Sequence, residues 1–220
     1  MDQPAAPPSA RKTAESRLLP PTAAPVDVDI LRREIQKTYT EVSSEPEREF
    51  VFPTGRAWAE DLGYPAEELA RVPEASVESF AGVANHFALG SIESGATVLD
   101  LGCGAGTDLL IAAQMVGPAG RAIGIDITLT MVERARAGAR QMKLANVDVR
   151  EGMIERVPLP DDSIDVVISN GVIDLVPDKE TVFAEIVRVL RPGGRLQIAD
   201  VTIQRPVSEE GRRDIDLWTG

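Results

Sequence analysis

From Gly95 onward, short apolar, β-branched runs alternate with amphipathic segments at a regular pitch, and no other feature restricts the fold as much. The runs "TVLDL" (97–101), "RAIGID" (121–126), "VDVREG" (147–152), "IDVVISN" (164–170) and "RLQIADVTI" (195–203) read as strands. The fourth is β-branched and largely apolar, as a parallel strand buried on both faces should be. Between them, "TDLLIAAQMV" (107–116) reads as a helix ending at Gly117-Pro118. "TMVERARAGARQMKL" (130–144) reads as a second, opened by Thr130 and Glu133 at capping-box spacing. "DKETVFAEIVRVL" (178–190) reads as a third, with Val182, Phe183, Ile186, Val187 and Leu190 on one face and "RPGG" (191–194) as the turn into the last strand. The pattern predicts a doubly wound α/β fold with a Rossmann-like, mainly parallel sheet.

The preceding segments are of a different kind. Residues 1–25 hold six prolines among Ala, Ser and Thr and are expected to be a disordered tail. They contain no apolar stretch of the secretory kind. Residues 26–94 read as a helical cap, with Ile30, Leu31, Ile35, Tyr39 and Val42 near one helical stripe and acids in the first turn after Pro65. Residues 95–205 form the predicted core, and 206–220 the start of a following helix.

Charge and cysteine usage narrow the functional classes. The chain of 220 residues carries 35 acidic against 23 basic side chains, a net charge of -12, without a Lys/Arg cluster to follow a phosphate backbone. No nucleic-acid partner is expected. No apolar run approaches the ~18–20 residues that span a bilayer, so no membrane partner is expected. The single cysteine, Cys103, excludes an internal disulfide and a multi-cysteine zinc site; it fits a reducing cytoplasm, and no metal site is expected.

The segment "TVLDLGCGAGTDLL" carries the chemistry. Gly102, Gly104 and Gly106 remove side chains where a strand-to-helix backbone turns tightly and approaches a ligand. Asp126 ends the second strand 20 residues after Gly106, where an acid can accept both hydroxyls of a ribose. A dinucleotide competes for such a loop, but the third glycine falls one residue early for that fingerprint, and Asp100 and Asp108 on either side would repel a pyrophosphate. A phosphate-free cofactor with a cationic amino-acid end turns both acids into attractions, and S-adenosylmethionine has that chemistry.

Four stretches in order, "VLDLGCGAG", "IGID", "EGMIERVPLPDDSIDVVISN" and "VLRPGGRL", resemble the class I S-adenosylmethionine-dependent methyltransferases over 95–202. The resemblance implies that Asp100 and the loop glycines hold the methionine moiety. It implies Asp126 on the ribose, Ile127 against the adenine, Gly152, Met153 and Ile154 along the adenine side, and Asn170 at the methyl-transfer site. "FPTGRAWAEDLGYPAEELARVPE", "SNGVIDLVPDKETVFAEIVRVLRPGGRLQIADV" and "DIDLWTG" resemble the arsenite methyltransferases more narrowly, and Tyr39 falls where they carry a tyrosine over the cofactor. The cysteines that such enzymes use to hold trivalent arsenic, a soft acid, are replaced by Gly171, Val83 and Leu109. The expected activity is therefore methyl transfer to a small-molecule acceptor other than arsenite, with a non-catalytic cofactor-binding protein or an arsenite methyltransferase fragment as the alternatives.

Two strands of the family's seven-stranded sheet have no counterpart after 205, so the chain is expected either to be a piece or to close its sheet differently, as in a homodimer. His86, in place of a family proline, and Tyr39 are the candidate catalytic groups; a surface or helix-capping His86 and a core-packed Tyr39 are the competing readings. Trp58, Phe80 and Phe87 are candidates for an apolar acceptor wall or for the core, and Asp174 is expected to be a solvated helix-start acid.

Overall fold

The computed structural model describes residues 26–219, so the expectation for the 1–25 tail lies outside the described residues. The cap comprises α1 (Val28–Ser44), α2 (Gly55–Asp61), α3 (Ala66–Leu69), α4 (Glu74–Val77) and a 3₁₀ turn at His86–Leu89. The core follows as β1 (Thr97–Leu101), α5 (Thr107–Val116), β2 (Arg121–Asp126), α6 (Leu129–Gln141), β3 (Val147–Glu151) and β4 (Ile164–Asn170). A 3₁₀ turn at Ile173–Leu175 leads to α7 (Lys179–Val189), β5 (Leu190–Ala199), α8 (Glu209–Arg213) and α9 (Asp216–Thr219). The five strands are all parallel, in the order β3-β2-β1-β4-β5.

Alternation along the strands sends side chains to two cores. Leu99, Leu101, Ile123, Ile125 and Val167 meet Val182, Ile186 and Val189 of α7 on one face. Val98, Val166 and Ile168 meet Ala112 and Val116 of α5 on the other, where Ala122 and Val149 also meet Val132 and Ala135 of α6. Helices on both faces make the sheet doubly wound, as the alternation predicts. The cap shares a core with the same helices: Leu69, Val72, Val77 and Phe80 pack on Leu110, Ile111 and Ala139.

Several local expectations are corrected. The last strand begins at Leu190 and ends at Ala199, and 191–194 is a bulge inside it rather than a turn before it. Two steps along β4 (Ile164 to Val166) are matched by five along β5 (Leu190 to Arg195). The guanidinium of Arg191 within the bulge pairs with Asp165, which also accepts the Thr97 backbone N–H at 2.7 Å. On α7, Val189 is buried in place of Val187, while Phe183 and Val187 face outward. On α1 the buried stripe passes through Leu31 and Val42, and Ile30 is exposed.

The capping box expected at Thr130 does not form; α6 starts one residue earlier, after Thr128. Its entry is held instead by Asp126, whose Oδ1 accepts the Thr128 N–H at 2.8 Å. Gly106 caps α5 at φ 94°, in the left-handed region, and a Cβ there would lie 2.9 Å from the Ala135 methyl of α6. Glycine is therefore required by conformation and by helix packing together.

The segment after β4 is pinned to the end of β5. Gly171 N–H donates to the Ala199 carbonyl at 2.8 Å, and Ile173 N–H donates to Asp200 Oδ2 at 2.9 Å. Asp174 is half-buried against Asp200 rather than solvated. Burial, then the Asp200 charge, push the Asp174 carboxyl up to about 7.

Two outcomes are expected. Gly106→Val lowers folding stability by about 2 kcal/mol or more in urea denaturation, from strain and overpacking combined. Asp174 binds its proton more tightly folded than unfolded, so its destabilising effect is complete above about pH 7 and is relieved as pH falls toward the ordinary carboxylate range. Asp174→Asn accordingly stabilises the protein at pH 8, and the gain over the unmodified chain shrinks by pH 5.

Candidate active site

Winding runs one way from β1 through β2 to β3 and the other way from β4 to β5, so the loops after β1 and β4 diverge. Such a switch point leaves a crevice at the carboxyl ends of the strands. A cleft of about 1070 Å³, partly open to solvent, lies there. The glycine loop forms its floor, and Leu31, Ile35 and Tyr39 of α1 run along it at helical spacing. Phe80, Ala81 and Gly82 of the cap and residues 170–172 and 175–177 close the end beside β4. Of the predicted site residues, all but Gly106 and His86 border this cleft. Gly106 serves helix packing, as described.

In the loop, the Gly102 and Cys103 N–H groups both donate to the Ile125 carbonyl, at 2.8 and 3.0 Å. Gly102 lies against Val172, where a Cβ would come within 2.4 Å of a methyl. Gly104 has φ 51°, and a Cβ on it would meet nothing within 4 Å, so the backbone there stands bare toward open space. Its N–H donates to Asp126 Oδ2 at 2.9 Å. Cys103 borders the cleft, but its sulfur is packed inward: a Cβ on Gly124 of β2 would lie 2.7 Å from it. Burial, then the charges of Asp126 and Asp100, push the thiol well above its ordinary range.

Three carboxylates meet at this floor in different states. Asp100 is 2% exposed, and its Oδ2 has no hydrogen-bond partner among the described residues. Burial first, then the charges of Asp108 and Asp126, hold it well above the usual carboxylate range. Asp126 is also raised by burial, in spite of its bonds to the Gly104 and Thr128 N–H groups. A carboxylate has roughly four acceptor positions, so two remain for a ligand. Asp108 is 7% exposed, and both its oxygens are engaged: one accepts from the Tyr64 hydroxyl at 2.7 Å and the other from Asn170 Nδ2 at 3.0 Å, with His86 Nε2 3.2 Å away. Burial works to raise it, but His86 and the hydrogen bonds outweigh that and hold it below the ordinary range.

Asn170, at the end of β4, uses its whole amide. Its Oδ1 accepts from the Val83 and Ala84 N–H groups at 2.8 and 3.3 Å, and its Nδ2 donates to the Ala84 carbonyl at 2.9 Å. Along the other end, Ile127 and Met153 border the cleft, and the Gly152 N–H donates to the Asp126 carbonyl at 2.9 Å. Ile154 is buried in the core shared with α7. Tyr39 stacks on Phe52 with centroids 5.9 Å apart; burial, then Asp174 and Asp126, raise its hydroxyl above the ordinary tyrosine range.

His86 is neither a surface residue nor at the cleft; its side chain is wholly buried behind Asp108. Of the three aromatic candidates only Phe80 reaches the cleft, while Trp58 and Phe87 pack against the cap core. Sequence reasoning missed Tyr64, whose partner Asp108 is 44 residues away, and Arg32, whose guanidinium spans to Glu155 at 3.0 Å. No local spacing signals either pair. Among the described residues no group of three or more His, Cys, Asp or Glu comes together that could hold a metal ion, and no helix is long and apolar enough to cross a membrane.

This geometry has parallels in known proteins. A family model described as a methyltransferase domain matches residues 92–217. The chain is 42% identical over 167 residues to an arsenite methyltransferase of Halobacterium salinarum, covering 76% of this chain and 42% of that protein. It is 33% identical over 111 residues to a demethylmenaquinone methyltransferase of Listeria monocytogenes, covering 50% of this chain and 47% of that one. The crystal structure of an arsenic(III) S-adenosylmethionine methyltransferase from Chlamydomonas reinhardtii superposes with a TM-score of 0.53 at 34% identity, covering 72% of this chain and 53% of that one. The chain spans less than half the length of these curated relatives. With the switch-point cleft, the glycine loop and the acid ending β2, these matches establish that the chain belongs to the methyltransferase-domain family, in the class I S-adenosylmethionine-dependent group and close to the arsenite methyltransferases.

Proposed function

We propose that this chain is an S-adenosylmethionine-dependent methyltransferase acting on a small organic acceptor with an apolar body, and that it does not methylate arsenite. The observation that carries the cofactor is Asp100. A buried carboxylate without a partner is costly unless a cation meets it, and the ammonium of the methionine moiety is that cation. Gly104 lets the cofactor approach the backbone, and the free acceptor positions of Asp126 suit the ribose hydroxyls. Ile127 and Met153 offer apolar contact to the adenine.

Bound S-adenosylmethionine supplies a methyl group activated by its sulfonium. The protein's part in an in-line displacement is to position the nucleophile and exclude water. Val172, Leu175, Val176, Pro177 and Phe80 form an apolar wall suited to an organic acceptor, with Tyr39 as the polar group facing it.

The case against arsenite rests on sulfur. Gly171 and Val83, two positions where the arsenite enzymes carry cysteine, are neighbours here: a Cβ on Gly171 would lie 3.1 Å from a Val83 methyl. The spot where two thiolates would converge holds none, Leu109 is buried in the core, and the one thiol of Cys103 is packed inward. A soft metalloid has no soft ligand set.

Calorimetric titration with S-adenosylmethionine and S-adenosylhomocysteine tests the cofactor reading. Binding is expected, weakened about tenfold or more by Asp126→Ala, since hydrogen bonds to a charged group contribute about 1.5–3 kcal/mol; a folded chain that binds neither would overturn it. Asp100 is raised in the free protein, and a cation beside it favours the ionised form. Cofactor binding at mildly acidic pH should therefore release a proton, seen as a heat that varies with buffer and vanishes in Asp100→Asn. An arsenite assay with cofactor and thiol should give no methylarsenical; its appearance would sink the acceptor reading while leaving the cofactor reading intact.

A further inference from the structure

Helix α1 lies along the cleft, and its two halves are held in different ways. The C-terminal half is packed. Val42 is fully buried with Ala105 and Met131, Tyr39 stands against that cluster beside Phe50 and Phe52, and the Val42 carbonyl accepts from the Ser79 hydroxyl at 3.4 Å. The N-terminal half is tied. Arg32 reaches Glu155, in the segment after β3, at 3.0 Å, and Gln36 Nε2 donates to the Ile127 carbonyl, just after β2, at 2.9 Å. Leu31 is the one fully buried side chain of this half, and its neighbour Ile30 is exposed.

Both ties cross from one wall of the cleft to the other, and Arg32 and Glu155 each border it. Among the described residues theirs is the one ion pair that joins α1 to the core: the other pairs of α1 are with Asp29 and Glu34 of the same helix and with Arg48 just beyond it. On the proposed reading the two landing points belong to the adenosine end. Ile127 carries one tie on its own carbonyl, and Glu155 lies two residues beyond Met153. The pair is neither dissolved in solvent nor sealed from it, since the Arg32 side chain is 34% exposed and that of Glu155 17%. Such a pair holds weakly and can be released without unfolding, because water reaches both charges as they part. The apolar packing around Val42 has no such release.

We infer that Arg32 and Glu155 form a releasable clasp, which holds the N-terminal half of α1 over the adenosine end of the cleft and sets the rate at which cofactor and product exchange. The inference rests on the proposed reading that the cleft binds S-adenosylmethionine. Arg32 is a positioning residue: it acts through α1, holding Leu31 and Ile35 against the cleft, and its charge faces Glu155. The packed half of α1 stays in place when the clasp opens, so Tyr39 keeps its stack on Phe52. The same clasp must part for entry and for exit. Weakening it therefore speeds both and leaves their ratio, the dissociation constant, nearly unchanged. Loss of a direct contact to the ligand behaves otherwise, raising release and the dissociation constant together.

The test is a double-mutant cycle read in rates. Association and release of S-adenosylhomocysteine are followed by surface plasmon resonance on the full chain, Arg32→Gln, Glu155→Gln and the double variant, each checked for folding by circular dichroism. Each single variant should raise both rates together by about two- to fivefold, the range of a partly exposed ion pair. The dissociation constant should change by less than about twofold. The double variant should match the singles, because the clasp is gone once either partner is removed. Raising salt from about 0.05 to about 1 M should speed exchange in the unmodified chain by screening the pair, and should do so less in either single variant. A pair that only supports the fold would lower the melting temperature and leave both rates where they are. Unchanged rates in the single variants, a dissociation constant that rises in step with release, or a double variant whose effect is the product of the two singles overturns the inference. Should one single variant not fold, the other decides it together with the salt series. No binding by the folded, unmodified chain removes the cofactor reading itself, and the clasp with it, so the two failures are distinct.

Discussion

Among the strands of the described residues, β1 alone has neighbours on both edges that are reached by windings of opposite sense, and the rest of the described molecule is arranged around that fact. Pairing to β2 on one side and β4 on the other forces the loops after β1 and β4 apart. The crevice between them is thus a product of backbone hydrogen bonding, before any side chain is considered. The side chains then make use of it: Asp100 is the fourth residue of β1, Asn170 the last of β4 and Asp126 the last of β2. Three polar groups arrive at one place because three parallel strands end there.

Bringing them together has an electrostatic cost that the fold distributes unevenly. Asp126 is answered by the backbone and Asp108 by side chains drawn from the cap and from β4, while Asp100 Oδ2 has no hydrogen-bond partner among the described residues. On the proposed cofactor reading, a site that satisfies two of three buried acids and leaves the third without a partner is preorganised for a cation at one point. The cap is essential to this, because Tyr64 and His86 both come from it. Residues 26–94 thus supply partners to the acids of the cleft as well as a cover over it.

What was readable in the sequence is what depends on local spacing. The strand–loop–helix around Gly102–Asp108 and the acid ending β2 were legible because neighbours in the chain are neighbours in space, and the same holds for strand β4. Where two structures compete for the same residues, the reading failed by small steps. Val187 and Val189 are equally apolar, and only the start of β5 at Leu190 decides that the latter is buried. "RPGG" has turn composition, yet a bulge also accepts glycine and lets pairing continue. Thr130 had capping-box spacing, but Asp126 already holds the N–H that starts α6. The network about Asp108 was illegible for another reason: its members are 22, 44 and 62 residues away, and a buried tyrosine or histidine looks like any other until its partner is known.

The inward-packed sulfur of Cys103 makes the glycine loop observable in a way that few binding loops are. The sulfur lies against Gly124 of β2, in the core shared by Leu109, Ala113 and Val132, so lifting of the loop away from β2 exposes it to a thiol reagent. With no second cysteine to contribute background, alkylation reports on that opening: on its rate when reclosing is slow, and on its population multiplied by the intrinsic thiol reactivity when reclosing is fast. The loop's breathing can thus be timed directly, in the unmodified chain, by a chemistry unrelated to whatever the cleft binds.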